Sequence, residues 1–381
     1  MGDFTAERAI LPSSGEAAWV VVDAAYDLHA EACAFLAALR ASDRSPNTER
    51  VYAGRVALYL SWCQEERTDW RRAGLTGLAR FLSWLRYEPM PSRRRGGIGL
   101  ARRRAAATAD AVVATSCEFL RFCAMHGLAD KAVVENLFEP RYLRFLPPGY
   151  NAGEDGQHRV VRSRTIKLKT VEKPFEWLRP EQVAALMAAT RNVRDRFLVA
   201  LVSTTGLRIG ETLGLHRQDM HFLSSSETLG CSTSGPHLHV RRRPDNCNGA
   251  LAKSRYPRSI PVPETVIDFY ADYTHERWQL LGEDENPFVF VNLYRPPLGR
   301  AMSYPAAKAM FDRLAKATGI AVWPHLLRHT AATTMLRQGT PRDVVQEVLG
   351  HASPASMQPY SHVDDQDKRD AVERVARQAR R

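Results

Sequence analysis

The chain has 381 residues, of which 44% are hydrophobic and 25% charged, a globular composition that excludes wholesale disorder. At roughly 100–200 residues per domain, this length predicts two or three domains, each with its own core. Because no segment approaches the ~20 apolar residues of a membrane-spanning helix and the N-terminus lacks a signal pattern, we expect a cytoplasmic protein without a membrane partner.

The net charge is strongly basic, because 53 Lys and Arg residues stand against 42 Asp and Glu, a balance of +11. Only eight of the 53 basic residues are Lys. Arg presents a planar fork of donors that suits phosphate oxygens and base edges. A GC-rich genome also raises Arg content, but that bias explains neither the net sign nor the clustering. The charge therefore favours a nucleic acid as the partner.

The first 150 residues divide into an arm and a helical domain. For residues 1–27, the sequence predicts a weakly structured arm. Residues 28–150 predict a small all-α domain, because apolar residues recur at helical spacing and Ser45-Pro46 is a typical helix start. We expect its helices over 31–39, 46–62, 76–87 and 105–127.

Two arginine triplets surround a Gly-Gly pair in a stretch of this domain that lacks acidic residues. They are Arg93, Arg94 and Arg95, followed by Arg102, Arg103 and Arg104. A charge run is usually a solvated loop. These triplets, however, lie at the start of a helix, where backbone N–H groups also favour phosphate. We therefore predict that they contact the DNA backbone.

Residues 151–173 predict a basic linker between two domains. Neutralising phosphates releases counterions and needs little base specificity, so such a linker suits a protein that closes around a polyanion. The linker residues that we expect to contact DNA are Arg159, Arg162, Arg164, Lys167 and Lys169.

Residues 174–365 predict an α+β domain that is mostly helical, with a small antiparallel sheet. We expect helices over 180–190, 194–204, 264–281, 304–318, 325–338 and 341–349, and strands over 237–243, 258–262 and 288–292. The Ser-rich stretch between Met220 and His237 predicts a surface loop, and residues 366–381 a polar helical tail.

The six cysteines form no C-x-x-C pair, and we interpret them as reduced thiols. A zinc site can be drawn from Cys231, His237, His239 and Cys247, but their spacing matches no zinc-ligand pattern. We interpret this grouping as incidental, and we expect neither a metal nor a cofactor.

Four separated segments of residues 174–365 carry reactive residue types. In chain order they are Arg208-x-x-Glu211, Lys253, His325-x-x-Arg328-His329-Thr330, and Leu349-Gly350-His351 with Tyr360 nine residues beyond the His. Each segment by itself is weak evidence for a catalytic site. An Arg often pairs with a nearby Glu, a Lys in a turn is usually solvated, and a His on a helix face is more often structural than catalytic.

Together and in this order, the four segments resemble the tyrosine recombinase (phage integrase) family. The resemblance covers most of residues 178–363 and, more loosely, the helical domain before them, which resembles the family's core-binding (SAM-like) domain. It implies an enzyme that cleaves and rejoins DNA through a 3′-phosphotyrosyl intermediate, for integration, excision or transposition of a mobile element. Residues 245–254 further resemble a transposon-associated branch of the family.

The resemblance also implies a role for each site residue. Tyr360 would attack the scissile phosphate and free a 5′-hydroxyl, which later reverses the step. Arg208 and Arg328 would clamp the phosphate, and Lys253 would donate a proton to the leaving oxygen. His325 would act as a base or proton relay, and His351 would donate a hydrogen bond to a phosphate oxygen. Glu211 would orient these cations.

Further implications concern assembly and energy. Because bond energy is retained in the covalent intermediate, neither ATP nor a metal is required. The family works as a homo-tetramer on two recombination sites, with accessory transposition or excision proteins in some systems, and the tail is a candidate contact to a neighbouring protomer. Pro359 departs from the aliphatic residue or Thr expected before the nucleophile, which predicts a looser Tyr segment.

Three alternatives remain beside this interpretation. A metal-dependent hydrolase could use His325 and His329, but Leu326 stands where an H-E-x-x-H enzyme needs Glu. A non-catalytic DNA-binding protein explains the charge but gives no reason for the ordered reactive residues. A type IB topoisomerase uses similar chemistry, although the compact spacing favours recombination.

Overall fold

The computed structural model describes residues 3–90, 103–143, 160–168, 176–254 and 256–350. The chain folds as two compact units, of which the first contains the described residues up to 168 and the second those from 176 onwards. Among the described helices, none combines the length and apolar character needed to cross a membrane.

Among the described residues, the first unit combines helices with two two-stranded antiparallel sheets. Its helices are α1 (Ala30–Ala41), α2 (Pro46–Glu65), α3 (Gly74–Tyr87), α4 (Ala106–Met125) and α5 (Lys131–Glu135). Its strands are β1 (Thr5–Ile10), β2 (Ala17–Val22), β3 (Phe138–Tyr142) and β4 (Val160–Arg164), paired antiparallel as β1-β2 and β3-β4.

Helices α1 to α4 form close to the predicted spans, whereas the short helix α5 was not predicted. Ser45 caps α2 by accepting the N–H of Thr48 at 3.2 Å, and Pro46 occupies the first turn. The core is rich in aromatic side chains. Trp62 on α2, Phe81 on α3 and Phe119 on α4 are all buried in it. Burying each such side chain contributes about 1.5–3 kcal/mol. The described helices therefore share one hydrophobic core.

The predicted weakly structured arm is wrong for the described residues. β1 and β2 form a hairpin in which Val21 is fully buried, and the N–H of Trp19 donates to the buried carboxylate of Glu49 at 2.9 Å. Glu49 also accepts from Arg40 at 2.6 Å. These long-range contacts hold the hairpin on α1 and α2, so the first unit is not all-α.

The predicted linker is also wrong in part, because residues 160–168 belong to the first unit. β4 pairs with β3, placing Arg164 opposite Phe138. The Arg164 guanidinium donates to the Asp110 carboxylate at 2.8 Å, and the same carboxylate accepts the N–H of Leu168 at 3.0 Å. Asp110 on α4 therefore fixes this segment to the helices.

Among the described residues, the second unit contains helices and a three-stranded sheet. The helices are α6 (Pro180–Ala188), α7 (Val193–Thr205), α8 (Ile209–Leu213), α9 (Glu264–Leu281), α10 (Tyr304–Thr318), α11 (Pro324–Arg337) and α12 (Arg342–Leu349). The strands are β5 (Met220–His221), β6 (His237–Val240) and β7 (Arg258–Pro261), antiparallel in the order β5-β6-β7. α7 is buried along most of its length and packs against α9 and α11.

The strand predicted over 288–292 is absent from the described residues. Phe288 and Val291 make only isolated bridges, and the carbonyls of Phe288 and Val289 accept hydrogen bonds from side chains. Tyr273 donates to the Val289 carbonyl at 2.8 Å, and Arg277 donates to the Phe288 carbonyl at 2.7 Å. An apolar run is buried here without a neighbouring strand, because side chains of α9 and backbone groups of other segments supply its hydrogen bonds.

Candidate active site

The connection between α7 and α8 places Arg208 and Glu211. α7 ends at Gly206, whose φ of +66° is left-handed, and a Cβ there would come within 2.5 Å of a side-chain carbon of Leu349. Arg208 lies at the N-cap of α8, where its backbone N–H donates to the Glu211 carboxylate at 3.0 Å. Gly206 therefore permits both the turn and the close approach of α12.

Glu211 is the centre of the candidate site. Its side chain is fully buried and accepts from Arg208 Nη1 at 2.9 Å and from Arg258 Nη2 at 2.9 Å. Arg328 Nη1 lies 4.0 Å from the same carboxylate. One carboxylate that faces three guanidinium groups leaves the cluster positively charged, which is the sign that favours a phosphate.

Arg208 and Arg328 both reach the C-terminal end of α12. Arg328 on α11 is fully buried and donates to the carbonyls of Gly206 at 2.7 Å and Leu349 at 2.8 Å. Arg208 reaches the carbonyl of Leu349 at 3.4 Å and that of Gly350 at 3.4 and 3.5 Å. Helix C-termini carry partial negative charge, which attracts both cations. The two guanidinium groups thus converge at the C-terminal end of α12.

Arg258 is a site residue that the sequence analysis missed. Its Nε donates to the Val348 carbonyl at 3.0 Å, and its guanidinium forms two bonds to Glu211. A signal was present, because residues two apart on a strand share a face. Ile260 is buried, so Arg258 must also point inwards and needs an acidic partner.

His325 and His329 lie side by side on α11, with ring centroids 4.2 Å apart. Partial burial lowers the pKa of His325 below its ordinary value of 6.5, and the charges of Arg328, Arg208 and Lys253 lower it further. Burial and the charges of its neighbours likewise lower the pKa of His329 to about 4. Both rings are therefore neutral at pH 7, and His325 is able to accept a proton.

The same electrostatics oppose the metal-hydrolase alternative. The cations that lower the pKa of His325 would also repel a divalent metal ion bound to His325 and His329. Leu326, between them, is buried in the core and offers no ligand atom.

The titration of His325 is a direct test of this charge cluster. We expect the pKa of His325 in the free protein to lie below 6.5, and to rise in Arg208→Ala because a positive charge is removed. NMR of the imidazole C–H resonances, assigned with His325→Gln, measures both values. Arg300→Ala, which removes an exposed arginine that is not among those acting on His325, is the control. A pKa at or above 6.5, or one unmoved by Arg208→Ala, contradicts this arrangement.

The structure brings together five of the residues proposed for the site from sequence: Arg208, Glu211, Lys253, His325 and Arg328. Lys253 is exposed on the connection between β6 and β7, and its charge acts on His325. Eight of the other predicted site residues lie outside the described residues: Arg93, Arg94, Arg95, Arg102, Arg159, Lys169, His351 and Tyr360.

The remaining basic residues predicted to contact DNA lie in the first unit. Arg103, Arg162 and Lys167 are exposed. The Arg104 guanidinium lies over the Trp84 ring, 5.1 Å from its centroid, and Arg164 is bound to Asp110 as described above. Arg104 and Arg164 therefore have packing roles within the unit, and DNA contact stays a prediction for all five.

Comparison with known proteins places this geometry in a family. The sequence model of the phage integrase family matches residues 176–367, just over half of the chain. Transposase A from transposon Tn554 of Staphylococcus aureus is 32% identical over 215 residues, which are 55% of this chain and 56% of the relative. Tyrosine recombinase XerA of Pyrococcus furiosus is 30% identical over 183 residues, 48% of this chain and 55% of the relative. The chain thus spans about half the length of these curated relatives.

Solved structures with the same fold cover both units. The Tn1549 transposon integrase in complex with a circular intermediate DNA superposes with a TM-score of 0.57 at 16% identity, covering 90% of this chain and 99% of that one. A lambda integrase dimer bound to a core site gives a TM-score of 0.55 at 15% identity, covering 88% and 95%. This likeness is one of fold. The family match, together with the ordered residues around Glu211, establishes that the chain belongs to the phage integrase family.

Proposed function

We propose that this protein is a tyrosine-type site-specific DNA recombinase that cleaves and rejoins DNA through a 3′-phosphotyrosyl intermediate, for integration, excision or transposition of a mobile element. The observation that carries the proposal is the cluster around Glu211. It holds Arg208 and Arg328 at one place, beside a neutral His325 and an exposed Lys253. These are the charges and proton carriers that phosphoryl transfer requires.

The two arginines are proposed to stabilise the pentacoordinate transition state of the scissile phosphate. Arg208 keeps 21% of its side chain exposed, and its contacts to the Gly350 carbonyl are long, so it is free to turn to a phosphate oxygen. Arg328 is already bonded to the Leu349 carbonyl at 2.8 Å. Its contact with phosphate would therefore replace that bond by one to a phosphate oxygen, which is the stronger acceptor.

In the proposed covalent step, the bonds formed and broken and the protons transferred balance without a cofactor. The Tyr360 oxygen bonds to phosphorus as the bond to the 5′-oxygen breaks. The Tyr360 proton passes to His325, and Lys253 gives a proton to the leaving 5′-oxygen. Attack by a 5′-hydroxyl reverses each transfer and restores a phosphodiester. His351 is proposed to donate to a phosphate oxygen, and Glu211 orients the arginines.

The partner is proposed to be double-stranded DNA, bound by a homo-tetramer assembled on two recombination sites. The solved relatives from Tn1549 and lambda are DNA complexes, and the exposed Arg103, Arg162 and Lys167 give the first unit a basic surface. We assign the first unit the role of core-binding domain, residues 174–365 the role of catalytic domain, and residues 366–381 a contact to a neighbouring protomer. The likeness to the Tn554 transposase favours a transposon-associated role.

A nicked duplex tests the proposed activity. The duplex carries the boundary of the mobile element and a nick close to the cleavage position, so that the freed fragment diffuses away and the reverse step is blocked. Without nucleotide or added Mg²⁺, we expect an SDS-resistant protein–DNA complex, because the phosphotyrosyl bond retains the energy of the phosphodiester. A duplex without the boundary is the control. Free hydrolysed ends, or a dependence on Mg²⁺ or nucleotide, would contradict the proposal.

A further inference from the structure

A second cluster of reactive side chains lies on the sheet of the second unit. It consists of His221 on β5, His237 and His239 on β6, and Cys231 in the loop between these strands. His237 and His239 are two residues apart and share a face, and His221 pairs directly with His237 across the strands. The sheet thus directs three imidazoles to one place, where the loop adds a thiol.

Three of the four ligand atoms are separated as they are in a tetrahedral metal site. Cys231 Sγ lies 3.3 Å from His237 Nε2 and 3.4 Å from His239 Nε2, and these two nitrogens are 3.2 Å apart. One ligand atom from each of the four residues lies within 4.8 Å of the others. With Zn–N near 2.0–2.1 Å and Zn–S near 2.3 Å, neighbouring ligands of a tetrahedral zinc are about 3.3–3.6 Å apart.

The hydrogen bonds around the cluster fix the rings as metal ligands require. His237 Nδ1 donates to the Gly235 carbonyl at 2.7 Å, so its Nε2 carries a lone pair that points at the cluster. His239 Nδ1 lies 3.1 Å from the Ser259 hydroxyl. His221 is 7% exposed, and its Nδ1 is buried with no hydrogen-bond partner. Burying ring nitrogens without a partner is energetically unfavourable, unless a cation or a proton bridges them.

We propose that His221, Cys231, His237 and His239 bind one Zn²⁺ ion in a structural site. A thiolate with imidazoles suits zinc, and four protein ligands leave no open position for catalysis. This site differs from the grouping drawn from sequence, because Cys247 is exposed and not part of the cluster. His221 escaped sequence analysis because it precedes Cys231 by ten residues, and only strand pairing brings it near.

The proposed zinc would stabilise the strand that carries Arg258. It links β5, β6 and the loop over 222–236, and His239 contacts Ser259 on β7. Ser259 is the neighbour of Arg258, which binds Glu211 in the candidate active site. The ion would thus hold the sheet in register and, through β7, support the position of Arg258.

The metal content of the purified full-length chain tests the proposal without DNA, so its outcome is independent of recombinase activity. Protein prepared without chelators and desalted should contain about one Zn²⁺ per chain by elemental analysis. Exchange for Co²⁺ should give the intense visible bands of a tetrahedral site, with a thiolate-to-cobalt charge-transfer band in the near ultraviolet.

Two cysteine variants assign the ligands. Cys231→Ser should lose the charge-transfer band and most of the bound zinc, whereas Cys247→Ser should keep both, because Cys247 lies outside the cluster. His239→Ala should also lose the zinc. Wild-type protein that is folded by circular dichroism yet takes up neither Zn²⁺ nor Co²⁺ overturns the proposal. So does a Cys231→Ser protein whose metal content and spectrum match those of Cys247→Ser.

Discussion

Glu211→Gln is expected to lower the free energy of unfolding of the second unit by about 3–5 kcal/mol, because it removes the charge that compensates buried guanidinium groups. The Glu211 and Arg328 side chains are fully buried, and that of Arg258 is 9% exposed. Gln keeps the size of Glu but provides one acceptor oxygen and no charge. Arg258 and Arg328 would then be left partly uncompensated in a low-dielectric environment.

Urea unfolding followed by circular dichroism measures this effect. Asp312→Asn is the matched control, because Asp312 pairs with Lys308 at 2.6 Å on the surface of the same unit, where both side chains are more than half exposed. Such surface pairs contribute about 0–1 kcal/mol. Equal losses in the two variants would show that Glu211 does not hold a buried charge cluster.

The stability due to Glu211 should also depend on pH. Burial alone would raise the pKa of Glu211, but the hydrogen bond and charge of Arg258 and the charge of Arg208 outweigh it and hold the pKa below its ordinary value of 4.5. Because the folded pKa lies below the unfolded one, the stabilisation is complete above pH 4.5 and is lost as pH falls through the folded value. The difference between wild type and Glu211→Gln should therefore shrink only in acid.

Arg208→Ala is expected to slow formation of the covalent DNA complex by about 10²–10³-fold, because one preorganised donor to a developing oxyanion contributes about 3–4 kcal/mol. The side chain is 21% exposed, so stability should change far less than in Glu211→Gln. Arg208→Lys should recover only part of the rate, because Lys keeps the charge but lacks the bidentate fork.

Single-turnover cleavage of the nicked duplex at saturating protein measures the rate, and urea unfolding confirms the fold. Arg300→Ala, at an exposed position, is the control and should cleave at close to the wild-type rate. A wild-type rate in Arg208→Ala, with the protein folded, would remove Arg208 from the proposed chemistry.

Local patterns in the sequence predicted the helices well, since their signals lie within a few residues. α9 and α10 occupy the predicted spans, and the Ser45 cap is present. The ordered Arg, Lys and His residues predicted the family because chemistry constrains their type and order. The family match over 176–367 confirms that interpretation.

The features that sequence analysis missed depend on pairing between distant segments. The arm folds because Glu49, far along the chain, accepts the N–H of Trp19. Arg258 and His221 enter their clusters only when β5, β6 and β7 pair. Apolar periodicity reports which face is buried, but not which distant residue covers it.

The central claim is that Tyr360 becomes covalently bound to DNA, and identification of the linked residue tests it most directly. After trapping on the nicked duplex and digestion with nuclease and protease, mass spectrometry should find the nucleotide on the peptide that contains Tyr360. Tyr360→Phe should bind the duplex with near wild-type affinity and form no adduct, whereas Tyr256→Phe, at a tyrosine that is 81% exposed, should form it normally. A nucleotide on another residue, or an adduct that persists in Tyr360→Phe, would contradict the account.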